Sequence, residues 1–171
     1  YGIESCYDKT LVRINRGHTF KEATDALEAS ASRGLNTGAH FIFGLPGETR
    51  EEMLKEAEII SELPLKSVKF HQLQIIRGTK MEEEYNSNPS DFEAFTWDDY
   101  LDFIIKFLER LNPAIVVERF TGEAPPRYLS REVWGKKRTD QIVGLIEKRL
   151  EELDTWKGRL YDPLLGGVRG G

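Results

Sequence analysis

The strongest candidate for a ligand-binding feature in this chain is one glycine-rich turn. The turn is Gly44-Leu45-Pro46-Gly47-Glu48, with Thr49 directly after it. A glycine-rich turn before a helix can cradle a phosphate with its backbone amides. Glu48 argues against this, because a carboxylate at the mouth of an anion site repels phosphate, and no lysine follows at the P-loop position. A phosphate-binding enzyme of the TIM-barrel type therefore stays an alternative.

Cysteine and histidine, the side chains that bind transition metals most often, are few and scattered in this chain. Cys6 is the one cysteine of the chain. Neither an intrachain disulfide nor a multi-cysteine metal site can therefore be built from this chain alone. The three histidines, His18, His40 and His71, have no spacing that is diagnostic of a metal site, so we interpret them as ordinary polar residues.

A basic segment at residues 127–138 offers a different chemistry. It combines cations and aromatic side chains, which are Arg127, Arg131, Lys136, Lys137, Arg138, Tyr128 and Trp134. Such a mixture can hold single-stranded nucleic acid by phosphate contacts and base stacking. It can equally be a solvated connector whose tryptophan packs the last helix onto the fold. An RNA-binding or RNA-modifying module and a non-catalytic binding module both remain open.

The turn at residues 44–48 needs a strand before it and a helix after it. Residues 39–43 form a short apolar run of β-branched and aromatic residues, which is typical of a buried strand. Thr49 and Glu52 form a capping box, which predicts that a helix begins there. Because ligands of α/β folds gather at the carboxyl ends of strands, we expect a ligand at this turn.

The same patterns predict strands and helices in alternation along the chain. Strands are expected at 1–5, 39–43, 67–76 and 114–120, and helices at 8–15, 20–33, 50–63, 97–112 and about 139–153. The weakly patterned residues 81–95 predict a long loop. This order demands a mostly parallel sheet with helical crossovers. Four strands are too few to close a barrel, so we expect an α/β fold that is either half of a partial barrel or a small open sheet, with an exposed edge on the N-terminal side.

Composition narrows the class of protein. A chain of 171 residues, of which 39% are hydrophobic and 31% charged, is typical of one globular domain. The formal net charge of −5 argues against a protein whose whole surface follows nucleic acid. No apolar run approaches the ~20 residues of a membrane span, and no secretory leader is recognisable, so we expect a cytoplasmic protein without membrane contact.

Several motifs, taken in their order, resemble the second half of the radical S-adenosylmethionine (SAM) enzymes. They are Gly2-Ile3-Glu4-Ser5, Thr10-Leu11 followed by Ile14-Asn15-Arg16-Gly17-His18, Gly44-Leu45-Pro46-Gly47-Glu48-Thr49, His71-Gln72-Leu73, Gly78-Thr79, residues 119–125 and residues 155–158. The set is similar to the YhcC-type Fe-S oxidoreductases and covers nearly the whole chain up to Gly158.

The resemblance implies a partial TIM-type (β/α) barrel that holds SAM and a 4Fe-4S cluster. Such enzymes cleave SAM reductively to a 5′-deoxyadenosyl radical, here with an unknown substrate for which RNA is one candidate. Their CxxxCxxC motif for the cluster is absent from this chain. We therefore expect the cluster ligands in a missing N-terminal half of the same protein, and we expect this fragment to be inactive.

The resemblance also divides the chain into three regions. Residues 1–122 correspond to the C-terminal half of the barrel, and residues 123–158 to an extension with the basic segment and the final helix. We expect residues 159–171 to form a disordered tail. The exposed sheet edge predicts that the fragment could dimerise there.

Five positions match SAM contacts of the oxygen-independent coproporphyrinogen oxidases. Glu4 matches a residue that reaches the ribose, and Arg16 matches one that meets the SAM carboxylate, both in keeping with their chemistry. The alternative for Arg16 is that it complements a helix dipole. His40 stands where these oxidases carry a ribose-contacting acid, Ile42 where an apolar residue packs on adenine, and Gln72 where a backbone group contacts adenine. Strand alternation predicts that His40 and Ile42 share one face, and the resemblance supplies neither a catalytic residue nor a metal ligand.

Overall fold

A computed structural model describes residues 1–122, 124–131, 134 and 139–163. The strands are β1 (Gly2–Glu4), β2 (Gly38–Phe43), β3 (Ser67–Gln72) and β4 (Val116–Arg119). The helices are α1 (Asp8–Arg13), α2 (Phe20–Ala31), α3 (Arg50–Ser61), α4 (Lys80–Ser87), α5 (Trp97–Arg110) and α6 (Thr139–Glu152). Two short 3-10 helices span Pro89–Asp91 and Pro126–Tyr128.

The strands form one sheet in the order β1-β2-β3-β4, and every neighbouring pair is parallel. Strands β2 and β3 pair over their full length, from Gly38 opposite Ser67 to Phe43 opposite Gln72. The outer strands β1 and β4 each join with a shift in register. The prediction of an α/β fold with four parallel strands and helical crossovers, a partial TIM-type barrel, is confirmed. A dimer through the outer edge of β1 stays a prediction.

The sheet has one covered face and one half-open face. Buried and partly exposed residues alternate along β2 and β3. On the covered face, Phe43 packs against Phe70 and Phe107 with ring centroids 5.1 and 5.0 Å away. His40 and Ile42 are partly exposed on the opposite face, so the predicted alternation is confirmed.

Capping boxes begin three of the helices. The Thr49 and Glu52 box of α3 confirms the sequence prediction, and Thr19 and Glu22 form an equivalent box at the start of α2. In the second box, the Thr49 hydroxyl accepts from the Glu52 amide at 3.2 Å, and the Glu52 carboxylate accepts from the Thr49 amide at 2.9 Å. Thr96 caps α5 in the same way. These side chains satisfy amides that the first helical turn leaves without partners.

The prediction of an irregular loop over residues 81–95 is wrong. Helix α4 and the following 3-10 helix occupy most of this stretch, and the Thr79 side chain caps α4 by accepting from the Glu82 amide. None of the residues of α4 is buried, so no apolar stripe marked the helix in the sequence. Strand β3 also ends at Gln72, four residues before the predicted end.

The C-terminal regions are described only in part. Helix α6 buries Ile142 and Ile146. Within the predicted tail, the structure describes residues 159–163, where the Leu160 amide donates to the Glu109 carbonyl at 2.7 Å. Residues 164–171 and the basic residues 136–138 lie outside the described residues. No helix in the described ranges has the length and apolar character needed to cross a bilayer.

We expect Thr49→Ala to lower the free energy of unfolding by about 1 kcal/mol, because alanine cannot accept from the Glu52 amide. Thr49→Ser is the matched control and should stay close to wild type, since serine keeps the hydroxyl. Urea unfolding measures both. Equal losses in the two variants would show that the threonine methyl group, and not the cap, stabilises the start of α3.

Candidate functional site

Glu4 and Arg16 meet at the carboxyl end of β1. The Arg16 Nη2 donates to the Gly2 carbonyl at 2.6 Å and lies 3.4 Å from Glu4 Oε1. The Arg16 Nε is buried and has no hydrogen-bond partner among the described residues. Burial raises the pKa of Glu4, while the guanidinium of Arg16 opposes the rise. The guanidinium thus has one buried donor left for a further acceptor.

This ion pair depends on Gly2. A Cβ atom at Gly2 would lie 2.5 Å from Glu4 Oε1 and 2.6 Å from Arg16 Nη2, so any side chain there would displace the pair. Glu4 itself has a φ of 75°, in the left-handed region that L residues rarely adopt. His18 adds a contact, with its Nε2 3.2 Å from the Gly2 carbonyl oxygen. The end of β1 is therefore a built polar site.

His40, Ile42 and His71 lie together on the half-open face. The rings of His40 and His71 stack with centroids 5.7 Å apart, and Ile42 is the register partner of His71. Burial lowers the pKa of both histidines, and nearby cations lower it further. Both rings are therefore mostly neutral near pH 7 and can each donate and accept one hydrogen bond.

His71 was not singled out as a site residue from the sequence. Its Nε2 is buried and has no partner among the described residues. The ring packs on Gly122, where a Cβ atom would lie 2.8 Å from Nδ1. The available signal was its strand position, two residues along from Lys69 and opposite Ile42, since residues on neighbouring strands in register share a face.

Gln72 directs its side chain to the covered side of the sheet. Its Nε2 donates to the Gly122 carbonyl at 3.2 Å, and its Oε1 accepts from the Gly122 amide at 2.9 Å. This pair of bonds fastens the end of β3 to the segment after β4. The structure thus brings Glu4 together with Arg16 and His40 together with Ile42, while the side chain of Gln72 lies apart from both pairs.

Glu48 of the predicted turn lies inside the protein. It is 2% exposed, and its Oε1 accepts from the Ser5 hydroxyl at 2.5 Å. The amides of Gly44, Gly47 and Glu48 all donate to acceptors within the protein, Gly47 to the Asp91 carbonyl at 2.8 Å. Since these amides are already used, the structure disfavours the phosphate-binding alternative.

A second buried carboxyl, Glu56 of α3, accompanies Glu48. Its Oε1 accepts from the Cys6 amide at 2.7 Å, and the Oε2 atoms of both carboxyls have no partner among the described residues. Burial, and then the charge of Glu48, raises the pKa of Glu56 well above its usual range. Burial also raises the pKa of the Cys6 thiol. The described residues contain no group of three or more ligands that could hold a metal ion.

A cavity of about 310 Å³ lies at the carboxyl ends of β2 and β3. Its floor includes Gly44 and Gln72, and much of its wall is aromatic, from Phe43, Tyr85, Phe92, Phe95 and Trp134. The sequence did not reveal it, because α4 and the residues after it were predicted as a loop. Trp134 packs on Tyr100 of α5, with ring centroids 4.5 Å apart.

Comparison with known families decides which family this arrangement represents. Residues 1–60 match the family described as the Radical SAM superfamily, and residues 65–152 match the Radical_SAM C-terminal domain. The chain belongs to the radical SAM superfamily. The sequence resemblance drawn from the motifs is thereby confirmed.

Relatives of this radical SAM chain include proteins of bacteria and archaea. Uncharacterized protein YtqA of Bacillus subtilis is 28% identical over 163 residues, which are 95% of this chain and 50% of YtqA. Protein YhcC of Escherichia coli is 29% identical over 144 residues, 84% of this chain and 46% of YhcC. A tRNA uridine(34) acetyltransferase of Methanocaldococcus infernus is 24% identical over 152 residues, 86% of this chain and 28% of that protein. The chain spans about half the length of YtqA and YhcC.

The fold has a solved counterpart. Elp3 of Methanocaldococcus infernus with an N-terminal deletion superposes with a TM-score of 0.77 and 20% identity, over 91% of this chain and 36% of that chain. At this level of identity the likeness concerns the fold.

We expect the local stability around Glu56 to fall in the wild type as the pH rises. Glu56→Gln should reduce this loss. A carboxyl whose pKa is raised on folding binds its proton more tightly in the folded state. Its contribution is therefore complete below the unfolded value, 4.5, and is lost as the pH rises through the higher folded value. Glutamine keeps an acceptor for the Cys6 amide and does not ionise.

Hydrogen exchange of the full-length protein between about pH 5 and pH 8 measures this effect, after correction for the intrinsic rate. Peptides that cover residues 3–11 and 50–60 should lose protection at high pH in the wild type and less so in Glu56→Gln. Glu58→Gln, an exposed position on the same helix, should behave like the wild type. An identical pH profile in all three proteins would contradict the assignment.

Proposed function

We propose that this chain is part of a radical SAM oxidoreductase that cleaves SAM reductively to a 5′-deoxyadenosyl radical. One observation carries the proposal: in a chain of this superfamily, the carboxyl end of β1 holds the Glu4 and Arg16 pair, with a buried guanidinium N–H that lacks a partner. Membership of the superfamily supports SAM and a 4Fe-4S cluster as the cofactors. The substrate that the radical attacks is not part of this proposal.

The donors and acceptors on the half-open face fit SAM. Arg16 would bind the carboxylate of SAM, because a guanidinium matches a carboxylate in shape and charge. Glu4 would accept hydrogen bonds from the ribose hydroxyls, the His40 imidazole would donate a bond to a hydroxyl or accept one from it, and Ile42 would pack on the adenine. His71 adds an imidazole whose Nε2 needs a partner. A 4Fe-4S cluster held nearby would supply, when reduced, the electron needed for cleavage of the carbon–sulfur bond of SAM.

The cluster would be held by cysteines outside this chain. Cys6 is the one cysteine of the sequence. Its thiol is buried and its pKa is raised, so it is poorly suited to bind iron as a thiolate. The YtqA and YhcC relatives are about twice as long as this chain, which supports a longer protein that contributes the cluster half. By itself, the chain would be inactive.

We expect the full-length protein, reconstituted anaerobically with iron and sulfide and then reduced, to release 5′-deoxyadenosine from SAM. Arg16→Gln should weaken SAM binding about tenfold or more, because a charge-assisted pair to the carboxylate is lost. Arg33→Gln, an exposed position at the end of α2, is the matched control. Equilibrium binding of labelled SAM and chromatography of the products measure the two effects.

The proposal would be overturned if the reconstituted wild type, with an intact cluster by its absorption spectrum, formed no 5′-deoxyadenosine. Equal SAM affinity of Arg16→Gln and Arg33→Gln would overturn the role of Arg16 alone.

An RNA-modifying function is a second candidate, favoured by the tRNA uridine(34) acetyltransferase among the relatives. In the described part of the basic segment, Arg127 and Arg131 are exposed and lie over tyrosine rings. Trp134, however, packs on Tyr100 and donates from Nε1 to the Phe95 carbonyl at 2.8 Å. Because the Trp134 ring already packs on α5, base stacking would have to come from other aromatic residues.

If RNA binds at this segment, its affinity should fall steeply with salt, since counterions are released on binding. The double substitution of Lys136 and Lys137 by glutamine should weaken tRNA binding and flatten the salt dependence. The matched control replaces Lys21 and Lys55, which lie exposed on α2 and α3, by glutamine, and so removes the same net charge elsewhere on the surface. Filter binding to unmodified tRNA measures the slopes, and equal slopes for both double variants would exclude this segment as the RNA site.

A further inference from the structure

The cavity at the carboxyl ends of β2 and β3 is set apart from the Glu4 and Arg16 pair. Of the five positions matched to SAM contacts, only Gln72 lines it, and the polar atoms of that side chain are bonded to Gly122. Its volume of about 310 Å³ is at the lower end of the range of ligand pockets, ~300–1000 Å³. Active sites of TIM-type barrels form at this end of the strands.

The walls of the cavity are aromatic and held in place by their own contacts. The rings of Tyr85 and Phe92 meet edge to face with centroids 5.1 Å apart. Phe95 packs edge to face on Tyr100 at 5.4 Å. The Trp134 indole donates to the Phe95 carbonyl. Fixed aromatic walls favour a flat ring, which stacks with little loss of conformational entropy.

The backbone after α4 lies close to the turn at residues 44–48. The carbonyl oxygen of Glu93 would lie 3.1 Å from a Cβ atom at Gly44, whose φ of 85° is in the left-handed region. Residues 92–95 can therefore cover the cavity at this distance because residue 44 is a glycine. The left-handed turn at Gly44 and the backbone of residues 92–95 therefore form this part of the cavity together.

Among the described residues that line the cavity, the charge without an opposite partner is positive. Glu93, which lines it, is paired with Arg50 at 3.1 Å. Arg131 also lines the cavity and lies over the ring of Tyr85, 4.9 Å from its centroid, with the Tyr85 hydroxyl as its acceptor. Within the part of the chain that the structure describes, Arg131 has no carboxylate partner. An arginine beside an aromatic wall offers two or more N–H donors to an anionic group.

We propose that this cavity binds a flat aromatic ring that carries an anionic group, with the ring between the aromatic walls and the anion at Arg131. The conclusion that this ring belongs to the substrate rests on the proposed function, whereas the binding of such a ring in the cavity does not. An aromatic carboxylate and a nucleotide share this chemistry. The two sources are distinguished by the probes of the experiment.

Binding is measured on the full-length protein by calorimetry, without reductant or SAM, with two pairs of probes. The pairs are indole-3-acetate against its neutral amide, indole-3-acetamide, and uridine 5′-monophosphate against uridine. We expect the anion of at least one pair to bind about tenfold more tightly than its neutral partner, because the bond to Arg131 is charge-assisted. The pair that shows this preference identifies the source.

Three variants locate the site. Arg131→Gln should abolish the preference for the anion. Arg127→Gln should retain it, since Arg127 also stacks on a tyrosine in the same segment, 4.6 Å from the Tyr128 centroid, but does not line the cavity. Ala94→Trp, at an exposed residue of the lining, should fill the cavity and weaken binding of both members of the pair.

The proposal is overturned if neither anion is preferred, or if Arg131→Gln keeps the preference. Release of 5′-deoxyadenosine is followed in the same wild-type preparation after reconstitution. If the wild type cleaves SAM but binds no probe, the cavity proposal alone is rejected. If it binds a probe with the expected preference but releases no 5′-deoxyadenosine, the radical SAM function alone is rejected.

Discussion

Side chains alternate between the two faces of the sheet along the paired strands β2 and β3, and both the core and the candidate site follow from this alternation. Their full register places Phe43 and Phe70 on one face, where α5 covers them, and His40, Ile42 and His71 on the other. Burial of the aromatic rings stabilises the sheet and fixes its orientation to the helices. A slip of one residue would exchange the two faces. The core therefore decides which polar groups face the half-open side.

The buried carboxyls have a structural role that complements the core. Glu48 from the turn and Glu56 from α3 reach the segment after β1, where they accept from Ser5 and from the Cys6 amide. These bonds connect the segment after β1 to the turn and to α3. They therefore hold in place the backbone next to Glu4, which pairs with Arg16. Burial removes both carboxyls from water and so disfavours their charged forms, which raises the pKa of both groups.

Much of the fold could be predicted from the sequence because the signals were local. The capping boxes at Thr19 and Thr49 mark helix starts by chemistry that acts within four residues, and the short apolar run before Gly44 marks β2. Helix α4 was missed because it buries no residue, so its mostly polar sequence shows no core-facing apolar stripe of the kind that marks α5.

The site was predictable to a smaller extent. Arg16 and Glu4 were named from motifs, but their mutual contact, the requirement for Gly2 and the orphaned nitrogen of His71 depend on tertiary distances. The face of the Gln72 side chain follows from the register with Phe43. The aromatic cavity joins residues from β2 to Trp134, and no local pattern in the sequence connects positions so far apart.

A crystal structure of the full-length protein with SAM bound would show whether the Glu4 and Arg16 pair and Ile42 form the SAM site. We expect the SAM carboxylate to lie within hydrogen-bond distance of Arg16 and the adenine to pack on Ile42, on the half-open face of the sheet. SAM bound elsewhere, with the Glu4 and Arg16 pair unchanged and Ile42 uncovered, would contradict this expectation.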